Sequence, residues 1–69
     1  MLDDTQPDIV FENHGSVWLS RPRTPAGVRW LREHVVFQSW HGDAGAIEHR
    51  YVGAIIEGAA KAGMNVEMR

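Results

Sequence analysis

The stretch Ile9-Val10-Phe11-Glu12-Asn13-His14-Gly15-Ser16-Val17-Trp18-Leu19-Ser20-Arg21 decides the fold. Two alternating runs, Asp8–Glu12 and Ser16–Arg21, flank Asn13-His14-Gly15-Ser16, whose Asn and Gly tolerate positive φ at little cost. The alternation predicts two half-buried strands joined as a β-hairpin. Placing Ile9 and Phe11 with Val17 and Leu19 toward a core sends Val10, Trp18 and, further on, Trp40 to the opposite side of the sheet. The other alternation makes the tryptophans core. Both alternations remain open from the sequence, because a slip of one residue exchanges the faces of a whole strand.

Downstream, Pro22 ends the second run, since it offers no donor to a ladder. Thr24-Pro25 marks a helix start, with Thr as N-cap and Pro in the first helical position. That helix runs to about His34, with Arg29, Arg32 and Glu33 facing water. Val35–Trp40, rich in β-branched and aromatic residues, reads as a third strand; a turn over His41–Gly45 and a short return strand over Ala46–Glu48 follow. In His49–Ala62, Val52, Ile55, Ile56, Ala59 and Ala60 recur at helical spacing, and Gly63 supplies the stop. Asn65–Met68 suffices for a last short strand. The order ββαββαβ, in which the turns at His14-Gly15 and His41-Gly42 hint at a ββα unit used twice, predicts an α+β mini-domain. It has two layers, with a mostly antiparallel sheet carrying both helices on one face. Residues 1–7 read as a polar tail and 8–69 as the domain.

Composition bounds the function. The chain has 69 residues, no cysteine and a net charge of −2. So short a chain buries only about 60% of its unfolded surface, which leaves little room for an enclosed catalytic pocket. Without cysteine there is no disulfide, thiolate metal site or thiol nucleophile, and a cytoplasmic setting is the default expectation. No apolar run suits a membrane span, so no membrane partner is expected. Charge is uneven: Arg21, Arg23, Arg29 and Arg32 lie in a window without acids, and the rest of the chain holds the nine acids against three bases. Such a window is a solvated helix face or a docking patch for an anionic partner.

Four histidines invite a metal or acid–base reading, with His14 and His41 in matching turns near Asp43 its sharpest form. No pair has the spacing that places two imidazoles on one helical face, so no metal or cofactor is expected. Ser16, Ser20 and Ser39 sit in no nucleophile elbow, and Gly42–Gly45 lacks the pattern of a phosphate-binding loop. Gly53, Ala54, Gly58 and Lys61 leave one side of the second helix bare, a place for tolerance or for a close contact.

Phe11-Glu12-Asn13-His14-Gly15-Ser16 leading into Val17-Trp18-Leu19, then Thr24-Pro25, Trp30-Leu31 and Arg50-Tyr51-Val52, resembles a group of small uncharacterised proteins of proteobacterial genomes, prophages and mobile elements. The resemblance spans residues 9–67. It departs where His49 stands in place of the proline of Glu-Pro-Arg-Tyr, and where His41-Gly42-Asp43 replaces a more apolar stretch. It implies a compact bacterial or phage domain and brings no activity with it. The expectation is therefore a small non-enzymatic accessory protein that docks on a protein partner or on itself. A modulator or inhibitor of a host system, of anti-CRISPR type, is its concrete version. Trp18, Trp40, Arg21, Arg23, Arg29 and Arg32 are its candidate contacts. Alternatives are a nucleic-acid binder using the 21–32 basic segment with Trp18, and a His-dependent metal site or enzyme at His14 and His41.

Overall fold

In a computed structural model, which describes residues 6–37 and 39–69, a five-stranded mixed sheet carries two helices. The elements are β1 (Ile9–Asn13), β2 (Val17–Pro22), α1 (Pro25–His34), β3 (Trp40–His41), β4 (Ala44–Glu48), α2 (His49–Lys61) and β5 (Val66–Met68). The strand order β3-β4-β2-β1-β5 is antiparallel except where β5 runs parallel to β1. This is the α+β architecture that the element order predicts, with the two ββα units meeting where β2 pairs β4.

The first hairpin closes on fewer residues than the turn signal suggests. His14 N–H donates to the Val17 carbonyl at 2.9 Å, and Gly15 alone takes a positive φ, +86°. Gly15-Ser16 is thus a two-residue loop of the kind that wants glycine first. Such a loop pairs residues of opposite parity: Ile9 with Pro22, Phe11 with Ser20, Asn13 with Trp18. This selects between the two alternations. Trp18 shares the helix side with Ile9 and Phe11, while Val17 and Leu19 join Val10 on the open side.

On the helix side, Ile9, Phe11, Leu31, Ile47, Val52 and Ala59 form the core, with Trp18, Trp30, Ile55, Ile56 and Val66 packed around it. Burying side chains of this size contributes roughly 1.5–3 kcal/mol each before entropy is counted. α1 and α2 meet at Trp30, whose ring lies 3.5 Å from where a Cβ on Gly58 would sit. A Cβ on Gly58 would make ordinary contact with that ring, so this part of the bare side faces α1, whereas Gly53 faces open space.

The expected strand over Val35–Trp40 shrinks to Trp40–His41. Val35 ends α1 in extended conformation with its N–H on the Leu31 carbonyl, and Val36 is 98% exposed. Phe37 then turns onto the core, so the chain first reaches β4 at Ser39, whose carbonyl accepts from Ala46 N–H. α2 ends as its sequence predicts. Gly63 (φ +88°) donates to the Ala60 carbonyl and Met64 N–H to that of Ala59, the paired bonds of a glycine-terminated helix.

Asp8 fastens three elements. Its carboxylate accepts from Thr24 Oγ1 at 2.6 Å and from Asn65 N–H at 2.9 Å, and its carbonyl accepts from Arg23 N–H at 2.7 Å. Thr24 Oγ1 in turn accepts from Gly27 N–H, capping α1. The Asn65 amide and the Thr24 hydroxyl hold the Asp8 carboxyl below its ordinary 3.8. On the open face, Arg21 and then His14 do the same for Glu12. Both pKa values are lower in the folded chain than in the unfolded one. Their contribution is therefore present above the ordinary carboxylate range and is lost as pH falls through the folded values. Urea unfolding between about pH 5 and pH 3 should show stability falling with acid, and Asp8→Asn should flatten that slope. An unchanged slope in Asp8→Asn would remove Asp8 from this role.

Candidate binding groove

α1 exposes one flank beside the β3–β4 end of the sheet, and the gap is a groove of about 390 Å³ lined by Pro22, Val28, Leu31, Arg32, Trp40, Gly42 and Asp43. The helix spacing makes its wall. Val28, Leu31 and Arg32 recur at i, i+3 and i+4, so two apolar side chains and a guanidinium share that flank. Pro22 enters from the end of β2. Gly42, with φ +68°, turns the chain so that Asp43 forms the far rim.

Trp40 is the feature that burial does not explain. It pairs with Gly45 and so lies on the helix side of the sheet, yet it is 54% exposed. Phe37 braces it edge-on, with ring centroids 4.7 Å apart and planes at 65°. Phe37 is itself seated where a side chain at residue 45 would be: a Cβ on Gly45 would stand 2.3 Å from the ring. The indole is thereby held at the mouth of the groove by a residue anchored in the core.

The structure divides the basic segment. Arg21 lies on the open face, where its Nε donates to Glu12 Oε2 at 2.8 Å. Arg23 is exposed in the link before α1. Arg29 and Arg32 stand one turn apart on the exposed part of α1, Arg32 at the groove. Among the described residues, Arg23, Arg29, Arg32 and Asp43 enter no ion pair, and neighbouring Glu33 also joins none. Like charges one helical turn apart are mildly destabilising, and neither the Arg29 nor the Arg32 guanidinium is in direct contact with a carboxylate among the described residues.

Of the six contacts expected from the sequence, Trp40 and Arg32 meet in the groove, and Arg29 stands one turn of helix away. Trp18 packs, half-buried, against the core and Arg21 belongs to the other face. Pro22, Val28, Leu31 and Gly42 were not singled out from the sequence as contacts, and Asp43 was named only beside the histidines. The Val28, Leu31, Arg32 spacing was readable, but nothing local brings the β3–β4 turn beside it.

The three histidine side chains among the described residues stand apart. His14 lies 3.3 Å from Glu12, His34 stacks on Trp30 and donates from Nδ1 to the Trp30 carbonyl at 2.9 Å, and His49 opens α2. The side chain of His41 lies outside the described residues. Among the described residues, no three acid or histidine side chains converge as a metal site requires. No helix there is long and apolar enough to cross a membrane.

The open face of the sheet has a different character. Val10, Ala44 and Ala46 are buried there and Val17 and Leu19 half-buried, with Glu12 and Arg21 bridged beside them. Among the described residues it presents no large exposed aromatic ring. Comparison with protein-family models, curated proteins and solved structures gives no match.

Proposed function

We propose that this chain is a small non-enzymatic binding protein that docks on a protein partner through the groove between α1 and the β3–β4 turn. The observation that carries the reading is Trp40: a braced indole, half exposed, sharing the groove with the unpaired guanidinium of Arg32. Burying a whole aromatic side chain removes on the order of 150–250 Å² from water, and the half-exposed Trp40 still offers about half of that to a partner. Trp and Arg are also the residue types in which binding energy concentrates. The protein acts by occupying its partner, which is the mode of an accessory protein, modulator or inhibitor. Nothing in that mode asks for a nucleophile or a proton transfer.

Affinity capture with the immobilised chain tests it. One specific partner should be held by the native protein and by Tyr51→Ala, which removes an equally exposed ring on α2. It should be lost with Trp40→Ala, while circular dichroism shows all three folded. Retention by Trp40→Ala, or loss with Tyr51→Ala alone, overturns the groove as the docking site.

A second reading rests on the three unpaired arginines, Arg23, Arg29 and Arg32. If they track a phosphate backbone, binding to an oligonucleotide falls steeply with salt and Arg29→Glu weakens it whatever the sequence. The apolar floor of the groove, the carboxylate of Asp43 and the net charge of −2 favour protein.

A further inference from the structure

We infer that the groove takes an acidic peptide segment of its partner that carries an apolar anchor side chain, with the acids on the α1 side and the anchor against Trp40. This rests on the groove being the docking site, and it adds the chemistry and the orientation of what docks.

Three features of the site carry it. The floor is apolar: Pro22, Val28 and Leu31, with Leu31 belonging to the core, so what fills it brings an apolar side chain. The volume, about 390 Å³, sits at the lower end of the range of ligand pockets, enough for a side chain or two and too small for a helix to enter. The charge is asymmetric. Arg32 at the α1 wall, with Arg29 a turn away, and Asp43 on the opposite rim enter no ion pair among the described residues. Arg32 and Asp43 line one groove without pairing, so the occupant meets positive potential along one wall and negative along the other. A carboxylate near Arg32 relieves the repulsion with Arg29 and gains a forked, charge-assisted hydrogen bond. The same carboxylate near Asp43 is repelled. Orientation follows from that difference, as charge complementarity sets register more than it sets raw affinity.

The test uses the intact chain and short synthetic peptides, followed by its amide resonances. The probe is a blocked peptide in which Glu pairs alternate with Leu and Phe. Its controls are the same peptide with Lys for Glu, the same peptide with Ala for Leu and Phe, and an oligothymidylate. The acidic apolar peptide should shift the amides of Val28, Leu31, Arg32, Trp40 and Gly42, and both peptide controls should bind more weakly. Arg32→Glu should weaken it by roughly tenfold, an effect that added salt reduces. Asp43→Asn should move affinity the other way, tightening it. Equal binding of the Lys peptide, or looser binding by Asp43→Asn, overturns the inferred chemistry and leaves the groove standing. Oligothymidylate shifting the same amides more strongly overturns it in favour of nucleic acid. Concentration-dependent shifts there without peptide assign the groove to a second copy of this chain. Shifts confined to other surfaces, or none with any probe, overturn the groove itself.

Discussion

Gly27→Ala is expected to destabilise this protein, against the sign that helix propensity gives. Gly27 sits in the first turns of α1, where Ala is favoured over Gly by about 1 kcal/mol. The site decides otherwise. A Cβ at residue 27 would stand 2.3 Å from the Asp8 carbonyl oxygen and 3.2 Å from the Ile9 side chain. The carbonyl is backbone and cannot rotate away, and it is held by Arg23 N–H at 2.7 Å. α1 must therefore move off β1, which loosens the Thr24–Asp8 bond and the Leu31 packing together. Overpacking of this kind costs about 1–3 kcal/mol, more than the propensity gain. The variant should melt lower by several degrees, at about 4–8 °C per kcal/mol for a domain of this size. Gly53→Ala, in α2 with nothing within 4 Å of its Cβ, is the internal control and should melt higher. If both variants gain stability, α1 does not press on Asp8 as described.

Gly45→Ala should damage both stability and binding, because residue 45 shares its space with Phe37. The new Cβ would meet three ring atoms at 2.3–2.5 Å. The ring is half-buried against the core, so expelling it costs about 2 kcal/mol, less than a fully buried Phe. The second consequence falls on function. Phe37 braces Trp40, and without the brace the indole loses its fixed pose at the groove. A double-mutant cycle isolates the contact: once Phe37→Ala has removed the ring, Gly45→Ala should add little. Strict additivity of the two changes would mean that the ring and the glycine do not share that space. Acidic-peptide affinity should fall in either single variant, although neither residue lines the groove.

Helix boundaries were legible because their signals are local. Thr24-Pro25 starts α1 through a cap hydroxyl and a preset φ, and Gly63 stops α2 through a left-handed residue; both act within one turn of chain. Strand existence was legible for the same reason at Ile9–Asn13 and Val17–Pro22. The third strand was not. Val35-Val36-Phe37 has strand composition, but strand formation needs a partner edge, and the chain first meets β4 at Ser39. The basic segment was legible as four arginines and illegible as a surface, since Arg21 points to the sheet face opposite the helices while Arg32 stands on α1.

By itself, then, the sequence determined the element types, their order, the two-layer α+β class and the pool of apolar residues from which a core is drawn. Periodicity, caps and breakers act over a few residues and need no knowledge of the rest. Tertiary structure alone decided which face each strand shows, that β5 lies parallel to β1, and that a groove exists. The faces turned on the two-residue loop Gly15-Ser16, whose closure goes with the parity of the hairpin and sets Trp18 on the helix side against the core. The parallel pair depends on Asp8 meeting Asn65 across 57 positions of chain. The groove exists because residue 45 has no side chain: Phe37 takes that place and holds Trp40 beside α1. Such contacts join residues far apart in the chain, and their energies appear only when the whole chain has closed around them.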